Sequence, residues 1–124
     1  MPILLNRIIL FGKNITALQT FYQSFFHFSL VEEIPNEWAV LNAGNIELAF
    51  HKIGAAYDTN ADTPFSASSN SKLVFDIAGQ DIHALREKML QEAVLMREIK
   101  NFSGMLVCDG EDIEGNVFQL VQKK

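Results

Sequence analysis

The chain has 124 residues, 48% of them apolar and 20% charged, with a formal charge of −5; that is the balance of a folded chain with one modest core or two small half-cores, not of a disordered one. The acidic balance argues against a nucleic-acid or anionic-membrane surface, because both need a dense basic footprint to displace counterions. No apolar run approaches the roughly 20 residues that cross a bilayer, and Met1 to Phe11 lacks the basic start and long apolar stretch of a signal peptide, so a cytoplasmic protein is expected.

In chain order, Arg7-Ile-Ile-Leu-Phe11 is a short β-rich run. Asn14, a good helix N-cap, follows it, and then Leu18, Phe21, Tyr22 and Phe25 recur at helical spacing, predicting a strand and an amphipathic helix. Three β-prone runs come next, Ser29 to Ile34, Trp38 to Ala43 and Ile46 to His51, separated by the turn signals Pro35-Asn36 and Gly44-Asn45. From Gly54 to Ser71 the chain turns to Ala, Ser, Asn, Asp and Thr without periodicity, which reads as a linker or surface loop. The first pattern then returns: Lys72 to Ile77 as strand, Ile82, Leu85 and Met89 as a helix stripe, and strands at Val94 to Ile99, Met105 to Cys108 and Val117 to Val121. Cys108, the only cysteine, excludes an intrachain disulfide or a thiolate cluster within one chain, and its apolar setting predicts a small buried strand residue.

The second half therefore repeats the first, with modules expected at 3–53 and 72–122 joined by a linker at 54–71. One sequence interval separates Arg7 from Lys72, Leu30 from Leu95 and Ile34 from Ile99. The helix stripes fall out of step by one residue, and Gly44-Asn45 returns late as Gly115-Asn116, as an insertion in a hairpin loop between Cys108 and Gly115 would cause. Repetition on this scale is a fold-level signal.

Several features in this order resemble the vicinal oxygen chelate superfamily of glyoxalases, bleomycin-resistance proteins and extradiol dioxygenases over nearly the whole chain. They are the first strand running into Asn14 with Phe21-Tyr22 on the helix, Gly44-Asn-Ile-Glu-Leu48, and Glu111-Asp-Ile-Glu-Gly-Asn-Val-Phe-Gln-Leu120. The last is similar to the family's Asp-Pro-Asp-Gly-Asn turn, with Ile113 in place of Pro and Glu114 in place of the second Asp. The resemblance implies an α+β fold of two tandem βαβββ modules, each a half-barrel, enclosing a cavity. It also implies that a metal, where the family uses one, is held from the first and last strand of each module, positions that fall here on Arg7, Glu47, Lys72 and Gln119. Arg has no lone pair to offer and Lys offers one only after losing a proton, so no metal is expected there.

Alternation along strands extends the cavity wall, since residues two apart share a face. Arg7 brings Ile9 and Phe11, Lys72 brings Val74 and Asp76, Glu47 brings Ala49 and His51, and Gln119 brings Val117 and Val121, while the intervening apolar residues belong under the helices. Two readings of the charges stand side by side. In one, Arg7 or Lys72 bridges Glu47, because unpaired buried charge is costly; in the other, a cation is left to hold the acidic group of a ligand. Trp38 suits core or dimer packing or ligand stacking, and His51 is a solvated strand-end histidine or a general base. His27 and His83 read as surface or packing residues, and the acidic run Glu111 to Glu114 as a solvated hairpin. The functions in competition are a metal-free homodimeric protein with no cofactor that binds a small acidic or aromatic molecule through Arg7, Phe11, Trp38, Glu47, His51, Lys72, Asp76 and Gln119, a lyase or dioxygenase with atypical metal ligands, and a structural dimer with no ligand.

Overall fold

A computed structural model describes residues 2–54 and 71–123, so most of the expected linker lies outside the described residues. The chain divides into two units, each a mixed sheet with one helix, and the class is α+β. Among the described residues no helix is long and apolar enough to cross a membrane.

The first unit comprises β1 (Arg7–Gly12), α1 (Ile15–Phe26), β2 (Ser29–Ile34), β3 (Trp38–Asn42) and β4 (Glu47–Lys52). Helix α1 starts where it does because two asparagines share its orphan amides. Asn14 Oδ1 accepts from Ala17 N at 3.0 Å, and Asn36 Oδ1, from the β2–β3 turn, accepts from Ile15 N at 3.1 Å and Thr16 N at 3.4 Å. It ends at His27, whose left-handed backbone (φ 59°) lets its N–H reach the Gln23 carbonyl. Ile15, Leu18, Phe21, Tyr22 and Phe25 form the buried face of α1, which packs on β3 and β4. Tyr22 stacks on Phe50 at 5.4 Å. The strand order is β1-β4-β3-β2, with β1 parallel to β4 and the other pairs antiparallel.

The second unit comprises β5 (Leu73–Asp76), α2 (Ile82–Gln91), β6 (Leu95–Met96), β7 (Lys100–Phe102), β8 (Met105–Glu111) and β9 (Val117–Gln122). Asp81 caps α2 by accepting from His83 N at 2.8 Å, and Gln122 Oε1 accepts from Ile82 N at 2.8 Å, tying the helix start to the last strand. Ile82, Leu85 and Met89 face inward, and Phe118 and Leu120 have no exposed surface. The order β5-β9-β8-β6 repeats the first sheet, with β5 parallel to β9.

Three sequence expectations are corrected. Of the strand expected at Val94 to Ile99 only Leu95–Met96, β6, is strand, and a separate short strand, β7, starts at Lys100; both run antiparallel to β8. Their registers differ by one residue: Met96 faces Gly110, whereas Lys100 faces Val107, so a bulge at Arg97 to Ile99 absorbs the extra residue. A similar slip between Leu30 and Glu32 bends β2 in the first unit. The strand expected to stop at Cys108 continues to Glu111, because Asp109 and Gly110 keep pairing with Gln119 and Phe118. Gly110 is required there, since a Cβ would lie 2.7 Å from the buried Phe118 ring and 2.5 Å from Met96 Sδ.

The third correction concerns the acidic run. Asp112 and Glu114 are buried, each 6% exposed. Asp112 Oδ1 accepts from Glu114 N at 2.9 Å and Asn116 N at 3.0 Å, and both of its oxygens accept from Asn116 Nδ2. A carboxylate holding this many donors closes the β8–β9 turn from inside; it does not solvate it.

Candidate functional site

In the first unit, parallel pairing of β1 and β4 sets Arg7 opposite Glu47, Ile9 opposite Ala49 and Phe11 opposite His51, the face that alternation predicts. Arg7 Nε and Nη2 both donate to Glu47 Oε1, at 3.0 and 2.8 Å. Glu32 approaches the same guanidinium at 3.8 Å, and the Arg7 Cζ lies 5.4 Å from the Trp38 ring centroid. This arginine is neutralised by two carboxylates and laid on an indole.

His51 continues the row. Its ring meets Phe11 edge-on at 5.5 Å and Trp38 at 5.7 Å, and its Nδ1 lies 2.7 Å from the Lys52 carbonyl oxygen. A carbonyl can only accept, so Nδ1 carries the hydrogen and the lone pair of the neutral ring sits on Nε2. Phe11 is 53% exposed and Trp38 half-buried, which leaves an aromatic surface beside the ion pair.

The second unit answers differently. Lys72 Nζ donates to Asp109 Oδ2 at 2.8 Å, and Gln119 Nε2 donates to Asp109 Oδ1 at 2.9 Å. Burial would push the Asp109 carboxyl up, but the bonds from Lys72 and Gln119 outweigh it and hold the group below the usual aspartate range. Asp76 is tied into its own loop: its Oδ1 accepts from Ala78 N at 2.9 Å and Lys123 lies 3.3 Å from Oδ2, contacts that lower its pKa, the amide bond most of all. Asp109 lies just past the strand end expected at Cys108 and is not among the expected site residues; two-residue alternation from Val107 is the signal that finds it. Cys108 is buried, and burial pushes its thiol up from the ordinary range.

Two concavities adjoin on the face of the second sheet. One, of about 560 Å³, is lined by Val74, Met105, Val107, Val121 and Phe102, with Asp76, Gln119 and Lys123 among its polar groups. The other, of about 480 Å³, is lined by Lys72, Arg97, Glu98, Lys100 and Asp109 and shares Val107 and Gln119 with the first.

No family model matches the chain, and no curated protein matches its sequence. Solved structures do match. A lactoylglutathione lyase from Agrobacterium tumefaciens is 15% identical with a TM-score of 0.72, over 98% of this chain and 94% of that one. The fosfomycin resistance protein FosX from Listeria monocytogenes is 13% identical with a TM-score of 0.76, over 100% and 96%. A virulence protein from Salmonella typhimurium is 19% identical with a TM-score of 0.70, over 100% and 99%. The chain has the glyoxalase-like fold that these structures share.

A variant of the Listeria protein is complexed with Mn(II) and 1S,2S-dihydroxypropylphosphonic acid. The donors among this chain's described residues do not suit such an ion. Each unit supplies a cation at or just before the start of its first strand, Arg7 or Lys72, and each cation is already bonded to a carboxylate within its own unit. Among the described residues no three His, Cys, Asp or Glu side chains are grouped as a metal ion requires.

Proposed function

We propose that this chain uses the glyoxalase-like scaffold without a metal, as a binding protein for a small acidic or aromatic molecule, and that it works as a homodimer. The observation that carries this reading is the pair of local neutralisations, Arg7 on Glu47 and Lys72 on Asp109. A divalent ion entering beside Arg7 would have to compete with the two hydrogen bonds that Arg7 makes to Glu47, with a fixed positive charge alongside. What remains favourable is a surface for organic ligands: the exposed edges of Phe11, Trp38 and His51, and the valine-lined concavity of the second unit.

Elemental analysis of the purified chain, followed by thermal-shift titration with divalent metals and with a panel of aromatic and acidic small molecules, tests the reading. The expected result is no stoichiometric metal, no stabilisation by Mn(II), Zn(II), Ni(II) or Fe(II), and stabilisation by members of the organic panel. A ligand at about a hundred times its Kd adds about 2.7 kcal/mol. A tightly held stoichiometric metal overturns the proposal in favour of a lyase or dioxygenase. A panel without any response favours a ligand-free structural dimer.

A further inference from the structure

We infer that the face of the second sheet takes an organic carboxylate with an aryl or short alkyl body, its carboxylate on Lys100 and its body on the valine floor; this rests on the binding-protein reading above and names its ligand class. The register makes the argument. Lys100, Val107, Val121 and Asp76 are successive cross-strand partners along one row from β7 to β5. The neighbouring row is Asp109, Gln119 and Val74. Directly opposed side chains on a sheet lie about 5 Å apart at Cβ, so the Lys100 stem begins at the edge of the valine floor and its ammonium reaches over the cationic concavity.

The charges on this face are unequally spent. Asp109 takes one bond on each oxygen, from Lys72 and from Gln119, Arg97 is paired with Glu111 at 3.5 Å, and Lys123 with Asp76. Lys100 has no ion pair within 4 Å among the described residues and acts on Asp109 only at longer range, and Glu98 is the second carboxylate lining the same concavity, standing against an incoming anion. The apolar part is equally unspent: Val74 is 60% and Phe102 68% exposed, and covering such surface favours binding. An apolar chamber beside an ammonium that holds no close ion pair among the described residues suits a ligand with a hydrophobic body and one negative head. A neutral apolar molecule would leave the ammonium unused, and a hydrophilic anion would leave the valines in water.

Calorimetric titration of the full chain with 3-phenylpropionate, its neutral amide and acetate tests the assignment, with amide-resonance mapping of the contacted residues. The acid should bind at least about tenfold more tightly than either the amide or acetate, and shifts should fall on Val74, Val107 and Val121. Lys100→Gln should erase the preference for acid over amide. Phe102→Ala, at an exposed side chain, should weaken both, and Glu98→Gln should tighten the acid alone. Equal affinity for acid and amide overturns the anionic head while leaving the binding-protein reading intact. Lys100→Gln without effect also overturns it, because Lys100 would then serve only to blunt a strand edge. Absence of binding by all three probes, or shifts away from the valine rows, overturns the site. Stoichiometric metal in the same sample would overturn the metal-free reading independently of the titration.

Discussion

The two units carry one topology and solve one electrostatic problem in two ways. In the first, the cation on the opening strand is matched by its direct partner across the parallel pair, Arg7 on Glu47, and the fork geometry of a guanidinium places two of its nitrogens on one carboxylate oxygen. In the second, the last strand supplies Gln119, which carries no charge, and the balancing carboxylate comes from the neighbouring strand at Asp109. In each unit the cation at or beside the start of the first strand has a carboxylate within reach, but not on the same strand of the repeat. The surroundings diverge in step: aromatic beside Arg7, aliphatic beside Lys72.

The hairpins that close the two sheets show the same divergence, and breaking them should give the largest effect. Asn42 Oδ1 accepts from Gly44 N at 2.9 Å on an exposed β3–β4 turn, whereas Asp112 is buried and organises the β8–β9 turn through several donors. Asp112→Ala should cost about 2–3 kcal/mol, since it orphans buried amides and removes bonds to a charged acceptor. Asn42→Ala should cost about 0.5 kcal/mol, the water being there to replace it. Urea denaturation of both variants checks the ratio, and equal losses would erase the distinction between the turns.

The ion pair of the first unit gives the next effect. Arg7 and Glu47 each keep about a third of their side-chain surface exposed (33% for both), so the pair is worth less than a fully buried one and more than a surface one. Glu47→Ala should destabilise by about 1–2 kcal/mol because Arg7 keeps Glu32 and Trp38. A double-mutant cycle with Arg7→Ala should return a coupling of about 1 kcal/mol. A coupling near zero would mean that the match between these strands is geometric only.

Much of this was readable from residues alone. Period-two alternation put Arg7, Phe11, Glu47 and His51 on one face, and the antiparallel and parallel registers bear out that placement. The repeat carried the order of elements, and the first of the two charge readings, Arg7 bridging Glu47, is the contact present. Lys72 was harder. Its partner lies on β8, whose length depends on Gly110 admitting Phe118 and Met96, a tertiary fit that no local propensity encodes. The acidic run misled for a related reason: Glu111 to Glu114 looks like a solvated hairpin until the fold folds Asp112 inward onto the amides of its own turn. A one-residue bulge leaves no compositional mark, so the splitting of the strand after α2 was invisible.

The smallest expected effect is a pH dependence, and it bears on whether the second unit's arrangement stabilises the fold at all. Asp109 is held below the ordinary aspartate range because its bonds from Lys72 and Gln119 outweigh the cost of burial. The folded chain therefore takes up that proton less readily than the unfolded chain, whose aspartates titrate near about 3.9. By linkage the contribution is fully present above that value and is lost as pH falls through it toward the folded value. Asp109→Asn should lower stability modestly at neutral pH, and the gap from the parent should narrow as pH drops below about 4. Melting temperatures of both chains measured from neutral to acid pH decide the matter. Parallel curves would mean that Lys72 and Gln119 hold Asp109 without any preference for its charged form, and the second unit's neutralisation would then be a matter of packing, leaving Arg7 and Glu47 as the only pair of the two that stores electrostatic energy.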